Sequence, residues 1–253
     1  MAKRLKKDEQ VYVPLVRLGI DRQTESAFLR TKVLEDVKPN ERSVTVDLCN
    51  GGEAKSVATS AVHRNIGMAI YAIGDVTSEA SLIEPLRKSV LHYLRLVIPS
   101  DALRARSVRS LAELSECWSK HDFNGVSHVI LIGHGCEDGL TFAVDGKVSA
   151  ENLGKAFKTH GQVVTTFISL CCKTGFGNFA KKFHAGFGDC VFIAPFHSVH
   201  GAIASQFVQT YLGHHFLDGK TFKVAFNKAQ EDIPSGVQFR FWQNGSLKKK
   251  PMA

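Results

Sequence analysis

No apolar run in this 253-residue chain approaches the roughly 20 residues that a membrane-spanning helix needs. The start, Met1-Ala2-Lys3-Arg4-Leu5-Lys6-Lys7, leads into charged residues instead of the apolar stretch of a secretory leader. Both absences point to a soluble, cytoplasmic protein without a membrane partner. Regular cysteine spacing is missing as well. Cys49, Cys117, Cys136, Cys171, Cys172 and Cys190 follow no framework pattern and two of them are adjacent, which suits free thiols in a reducing compartment. Neither a Cys-x-x-Cys nor a His-x-x-x-His pair occurs. Cys190, His197, His200, His214 and His215 cluster in sequence but lack zinc-site spacing, so neither a metal nor a cofactor is expected.

Charge is present, but mostly at the ends. The formal net charge is +8, and Lys3, Arg4, Lys6, Lys7, Lys248, Lys249 and Lys250 supply most of it, leaving the body close to neutral. Basic tails of this kind are read as solvated ends, with at most a weak or indirect contact to nucleic acid. With 44% apolar residues, the chain can bury one substantial core, arranged as one domain with an appendage.

Pattern divides the chain at about residues 10, 65 and 245. Residues 1–10 read as a basic disordered tail and 246–253 as a second one. Residues 11–65 read as a β-rich N-terminal extension: Val11-Tyr12-Val13 before Pro14, the alternating strand Ser43-Val44-Thr45-Val46-Asp47-Leu48, and Asn50-Gly51 as a hairpin turn. Residues 66–245 alternate strands with helices, which indicates an α/β sandwich with a mostly parallel central sheet. Its first strand, Gly67 to Gly74, is apolar throughout and suits burial on both faces. Ser81 with Glu84, and Ser110 with Glu113, read as capping boxes opening helices, and Ser149 opens a third. A short strand is expected near Ala105 to Val108, a hairpin turns at Asp145-Gly146, an apolar strand spans Cys190 to Ala194, and Phe239 and Phe241 suggest a last edge strand.

Two strand ends carry the chemistry. His128-Val129-Ile130-Leu131-Ile132-Gly133 runs into His134-Gly135, and Val163 to Leu170 runs into Cys171-Cys172-Lys173-Thr174-Gly175. In a parallel sheet the carboxyl ends of neighbouring strands open into one crevice, so an imidazole and a thiol placed there can face each other. Taken singly, a histidine at a strand end is an ordinary polar terminus and a buried cysteine an inert core residue. Taken jointly, they read as a nucleophile with its base. Glu137 and Asp138 read as solvated loop acids, and the later histidines as surface residues.

The run from about Gly67 to Gln230, roughly two thirds of the chain, resembles the caspase-like fold cysteine peptidases, specifically the bacterial CHAT branch related to separase and gingipain domains. The resemblance rests on His134-Gly135, on Cys172-Lys173-Thr174-Gly175 as a Cys-x-Thr-Gly site, and on Gly139-Leu140, Asp145-Gly146 and the helix start at Ser149. Ala194-Pro195, Ser198-Val199-His200-Gly201 and Leu217-Asp218-Gly219 continue it. It implies a caspase-like three-layer α/β/α sandwich, a thiol endopeptidase (a hydrolase) acting through His134 and Cys172, and an oxyanion hole formed by the backbone N–H groups of Gly135 and Cys172. Relatives often act beside a sensor, so a protein substrate and a regulatory or sensor protein partner are expected, with the enzyme latent until that partner or a signal activates it. Tetratricopeptide repeats, frequent companions of such domains, are absent.

Some relatives select a basic residue through an acid beside the nucleophile. Leu170 and Cys171 stand there instead. Asp189, at the start of the following strand, is the candidate substrate-binding residue, and its neighbours do not settle its direction. The alternative function is a catalytically silent, caspase-like interaction module within a larger assembly.

Overall fold

The computed structural model describes residues 4–21, 26–49, 52–75, 81–122, 125–158, 164–233 and 238–248. Asn50-Gly51, the expected hairpin turn, lies outside them. Short valine-rich strands come first. β1 (Gln10–Pro14), β2 (Phe28–Val33), β3 (Ser43–Asp47) and β4 (Lys55–Ala58) form an antiparallel sheet in that order, with the helical turn α1 (Leu15–Leu18) after β1. Alternation puts Val11, Val13, Val44, Val46 and Val57 on one face, where they pack into a small core that also takes in Leu5. The basic stretch before Gln10 is therefore anchored at Leu5, and Asp8 pairs with Lys32 at 2.8 Å.

The second sheet is larger. Its elements, in chain order, are β5 (Gly67–Ile73), α2 (Ile83–Val97), β6 (Leu103–Val108), α3 (Leu111–Cys117), β7 (Val126–Gly133), the hairpin β8 (Gly139–Phe142) and β9 (Gly146–Ser149), α4 (Ala150–Ala156), β10 (Thr166–Ser169), α5 (Gly177–Phe187), β11 (Val191–Pro195), α6 (Gly201–Leu212), α7 (Phe222–Asp232), β12 (Phe239–Gln243) and β13 (Ser246–Leu247). Seven strands pair in the order β13-β12-β11-β10-β7-β5-β6. From β6 to β11 the pairing is parallel, while β12 and β13 run antiparallel.

Strands with no polar face need cover on both sides. Met68, Ile70, Ile130, Ile168 and Ile193 face α2, α6 and α7, whereas Tyr71, Val129, Leu131, Phe167 and Phe192 face α3, α4 and α5. The small sheet docks on the first side. Tyr12 and His63 exchange backbone hydrogen bonds of 2.7 and 2.9 Å, and the Ala27 N–H donates to the Val97 carbonyl at 2.9 Å. Among the described residues no helix is long and apolar enough to cross a membrane.

Two of the three expected caps form: Ser110 accepts from the Glu113 N–H at 3.1 Å and Ser149 from the Asn152 N–H at 3.3 Å. Ser81 does not cap α2, which is flanked by Leu82 without a side-chain cap; Glu84 instead pairs with Arg87 at 2.7 Å. Nor is β12 the edge, because β13 pairs outside it.

Candidate active site

From β5 the chain moves to β6 on one side and then to β7 on the other, so the strand order reverses between β5 and β7. In open parallel sheets the crevice at such a switch lies outside the carboxyl ends of the strands. His134 follows β7 directly, and Cys172 follows β10, the strand next to it.

The His134 side chain is exposed. Its backbone is fixed: the His134 carbonyl accepts from the Thr141 N–H and the Cys136 N–H donates to the Gly139 carbonyl, both at 3.0 Å. Gly135 lies opposite Leu140 between those two bonds, a position whose own N–H points away from the paired strand. Gly135 also seats the histidine turn on the cysteine turn. A Cβ added there would lie 2.7 Å from the Cys172 carbonyl oxygen, 2.8 Å from Thr174 Cγ2 and 2.9 Å from Cys171 Cβ. Only glycine permits that approach. Among the described residues, neither the Gly135 N–H nor the Cys172 N–H has a hydrogen-bond acceptor.

Side-chain hydroxyls hold the cysteine turn together. Thr174 Oγ1 donates to the Cys171 carbonyl and accepts from Ser169 Oγ, both at 2.8 Å, while Ser169 Oγ also accepts from the Cys171 N–H at 3.2 Å. Lys173, between cysteine and threonine, takes a left-handed backbone with φ 61°. Such positive-φ residues other than glycine are uncommon and gather at functional turns. Gly175 completes the motif. Its N–H donates to the Pro195 carbonyl at 2.8 Å, and a Cβ on it would meet the Ala194 carbonyl oxygen at 2.6 Å.

The adjacent thiols differ sharply. Cys171 is fully buried, its Sγ donating to the Leu131 carbonyl at 3.7 Å, and burial pushes its pKa up to about 12. Cys172 is half-buried, with Sγ 4.0 Å from the Val199 carbonyl oxygen. The turn from Phe196 to His200 thus forms one wall beside the thiol. It is tied back by the Lys173 N–H, which donates to the His197 carbonyl at 3.2 Å, and by Phe196 stacking on Phe176 at 4.2 Å. Ser169 and Phe196 escaped the sequence reading, whereas Thr174 entered it only as part of the Cys-x-Thr-Gly motif. A hydroxyl at the end of an otherwise apolar strand was the available signal for Ser169.

Asp189 does not belong to this crevice. It precedes β11, and β7, β10 and β11 run parallel, so it sits at the amino edge of the sheet while His134 and Cys172 sit at the carboxyl edge. Of the loop acids, Glu137 is exposed, whereas Asp138 pairs with Lys147 at 2.7 Å and accepts from Cys136 Sγ at 3.0 Å.

The later histidines part company with the surface reading at His215. It is buried under α6, its ring 5.5 Å from those of both His63 and His128. Burial lowers all three pKa values, His63 to about 3 and His215 to about 4. His214 bridges Asp218 and Asp232 at 2.7 Å each, and His200 caps α6 by accepting from the Ala202 N–H at 3.2 Å. No group of three or more potential ligand side chains among the described residues is arranged to hold a metal ion. No family model and no curated protein matches the chain.

Proposed function

We propose that the chain is a caspase-like cysteine endopeptidase of the CHAT type, with Cys172 as nucleophile and His134 as base. One observation carries the reading: Gly135 packs without a side chain against the turn that presents Cys172, so the two loops form a single wall. The resemblance of His134-Gly135 and Cys172-x-Thr174-Gly175 to the family motif supports it, as does the contrast between half-buried Cys172 and sealed Cys171.

Chemically, His134 takes the Cys172 proton, and the thiolate sulfur bonds to the scissile carbonyl carbon. The oxygen of the tetrahedral intermediate accepts from the Gly135 and Cys172 N–H groups, donors with no other acceptor among the described residues. Collapse breaks the C–N bond as the His134 imidazolium protonates the leaving amine. Water, deprotonated by His134, then splits the thioester and returns the thiol. The six cysteines are free, which suits action in the reducing cytoplasm. The isolated enzyme keeps a low activity, which a protein partner or signal raises.

A peptidyl acyloxymethyl ketone library tests the assignment without requiring turnover. Covalent labelling of Cys172, lost in Cys172→Ala, is the expected result. No labelling at Cys172 by any member would overturn it and leave the silent interaction module.

A further inference from the structure

A groove between α7 and the β12–β13 edge has no part in the chemistry above. It encloses about 430 Å³ over an apolar floor that includes Phe226, Phe241 and Leu247, within the size range of ligand clefts. Leu247, 38% exposed, is one of the few large apolar side chains left open to solvent. Arg240 and Lys248 also line the groove, and among the described residues no carboxylate does. Among the described residues neither cation has an ion-pair partner, as is also true of Arg30, Arg95 and Arg104 elsewhere, but here the two lie together over an apolar floor. The Arg240 guanidinium lies 4.7 Å over the Phe196 ring, and stacking on a ring face leaves the in-plane N–H donors unspent.

Three facts narrow the occupant. The floor demands apolar side chains, and two unmatched cations demand carboxylates. The chain's own carboxyl end runs from Lys248 into Lys249 and Lys250, like charges that would repel the groove. β13 is the outermost strand of the sheet, and a sheet edge admits an extended peptide as a further strand.

We propose that this groove docks an acidic, apolar segment of a partner protein, laid extended along β13 with its apolar side chains on the floor and its carboxylates at Arg240 and Lys248. The segment reaches the crevice through Phe196, whose ring lies under Arg240 and stacks on Phe176, just past the Cys172 turn. Docking therefore bears on the wall beside the thiol. That coupling, unlike the docking itself, rests on the peptidase reading.

A random peptide display library selected on full-length Cys172→Ala protein tests the docking with no chemistry possible. Enriched sequences should combine acidic with apolar residues. Their affinity should fall roughly tenfold or more for the added Arg240→Glu and Lys248→Glu changes. Should that charge-reversed protein melt lower, Lys248→Glu alone, at an exposed position, replaces it. Failure to enrich, enrichment without carboxylates, or equal binding to the variant overturns the proposal. Adding an enriched peptide to the Cys172-containing protein then reads the coupling: faster labelling by the acyloxymethyl ketone library is expected. Docking with unchanged labelling would refute the coupling alone.

Discussion

Histidines occupy two regions of this molecule under opposite conditions. At the carboxyl edge of the large sheet, His134 is exposed on a turn that packs through Gly135 against the turn carrying half-buried Cys172, its backbone fixed on both sides. Beneath α6, His63, His128 and His215 sit among Phe28, Phe216 and Phe222. Among the described residues, Nε2 of His63 and Nε2 of His128 have no hydrogen-bond partner there. On the proposed reading the crowded region is the inert one. Proton transfer needs an imidazole that can charge and reach water or substrate, and burial without a nearby acid removes both options.

Removing the proposed Cys172–His134 pair tests this contrast most severely. Cys172→Ala should abolish peptide cleavage, and His134→Ala should lower it by roughly two to four orders of magnitude, each without moving the melting temperature. Cleavage retained by either variant would remove the chemistry from the exposed region. Gly135→Ala comes next. Its methyl group would collide with the Cys172 carbonyl and Cys171 Cβ, so the turns must separate. A loss of about a hundredfold in kcat/KM and of roughly 1–3 kcal/mol in stability is expected.

The buried region should answer to pH. Unfolded imidazoles bind protons below about 6.5, whereas His63 and His215 stay neutral in the fold down to about 3 and about 4. Their contribution to stability is complete above 6.5 and is lost as pH falls from there towards 4, on the order of a few kcal/mol. Of the neighbouring charges, Arg64 pairs with Glu9 and His214 with Asp218 and Asp232, and none of them is a cause of the lowered values. Melting temperatures measured across that interval check the trend. His128→Leu should flatten it, and an unchanged slope would contradict the neutral cluster. Smallest of all, Cys171→Ala should keep most activity and cost about 1 kcal/mol. Loss of activity there with Cys172→Ala tolerated would reverse the roles of the two thiols.

Much of this arrangement was legible because local chemistry and tertiary position agreed. The uninterrupted apolar run of β5 and the caps at Ser110 and Ser149 are local signals that the fold kept. His134 and Cys172 fell into adjacent loops because the strands before them are neighbours, which periodicity suggests and only pairing decides. The failures are positional. Asp189 looked near the site in sequence, but the direction of β11 puts it at the far edge. β2 escaped reading because Arg30 and Lys32 interrupt its apolar positions as a half-exposed antiparallel strand allows. His215 resembled a surface residue beside His214, yet the turn after α6 sends one imidazole to Asp218 and the next into the core.

Site-resolved alkylation tests the central claim most directly. Iodoacetamide at neutral pH, with mass spectrometry locating the label, ranks all six thiols of the intact protein. Cys172 should react first, more slowly once His134 is replaced by alanine, while Cys171 and Cys190, both pushed up to about 12 by burial, stay unlabelled. Faster labelling of exposed Cys49 or half-buried Cys136 than of Cys172, or a Cys172 rate indifferent to His134→Ala, would contradict the His134–Cys172 pair.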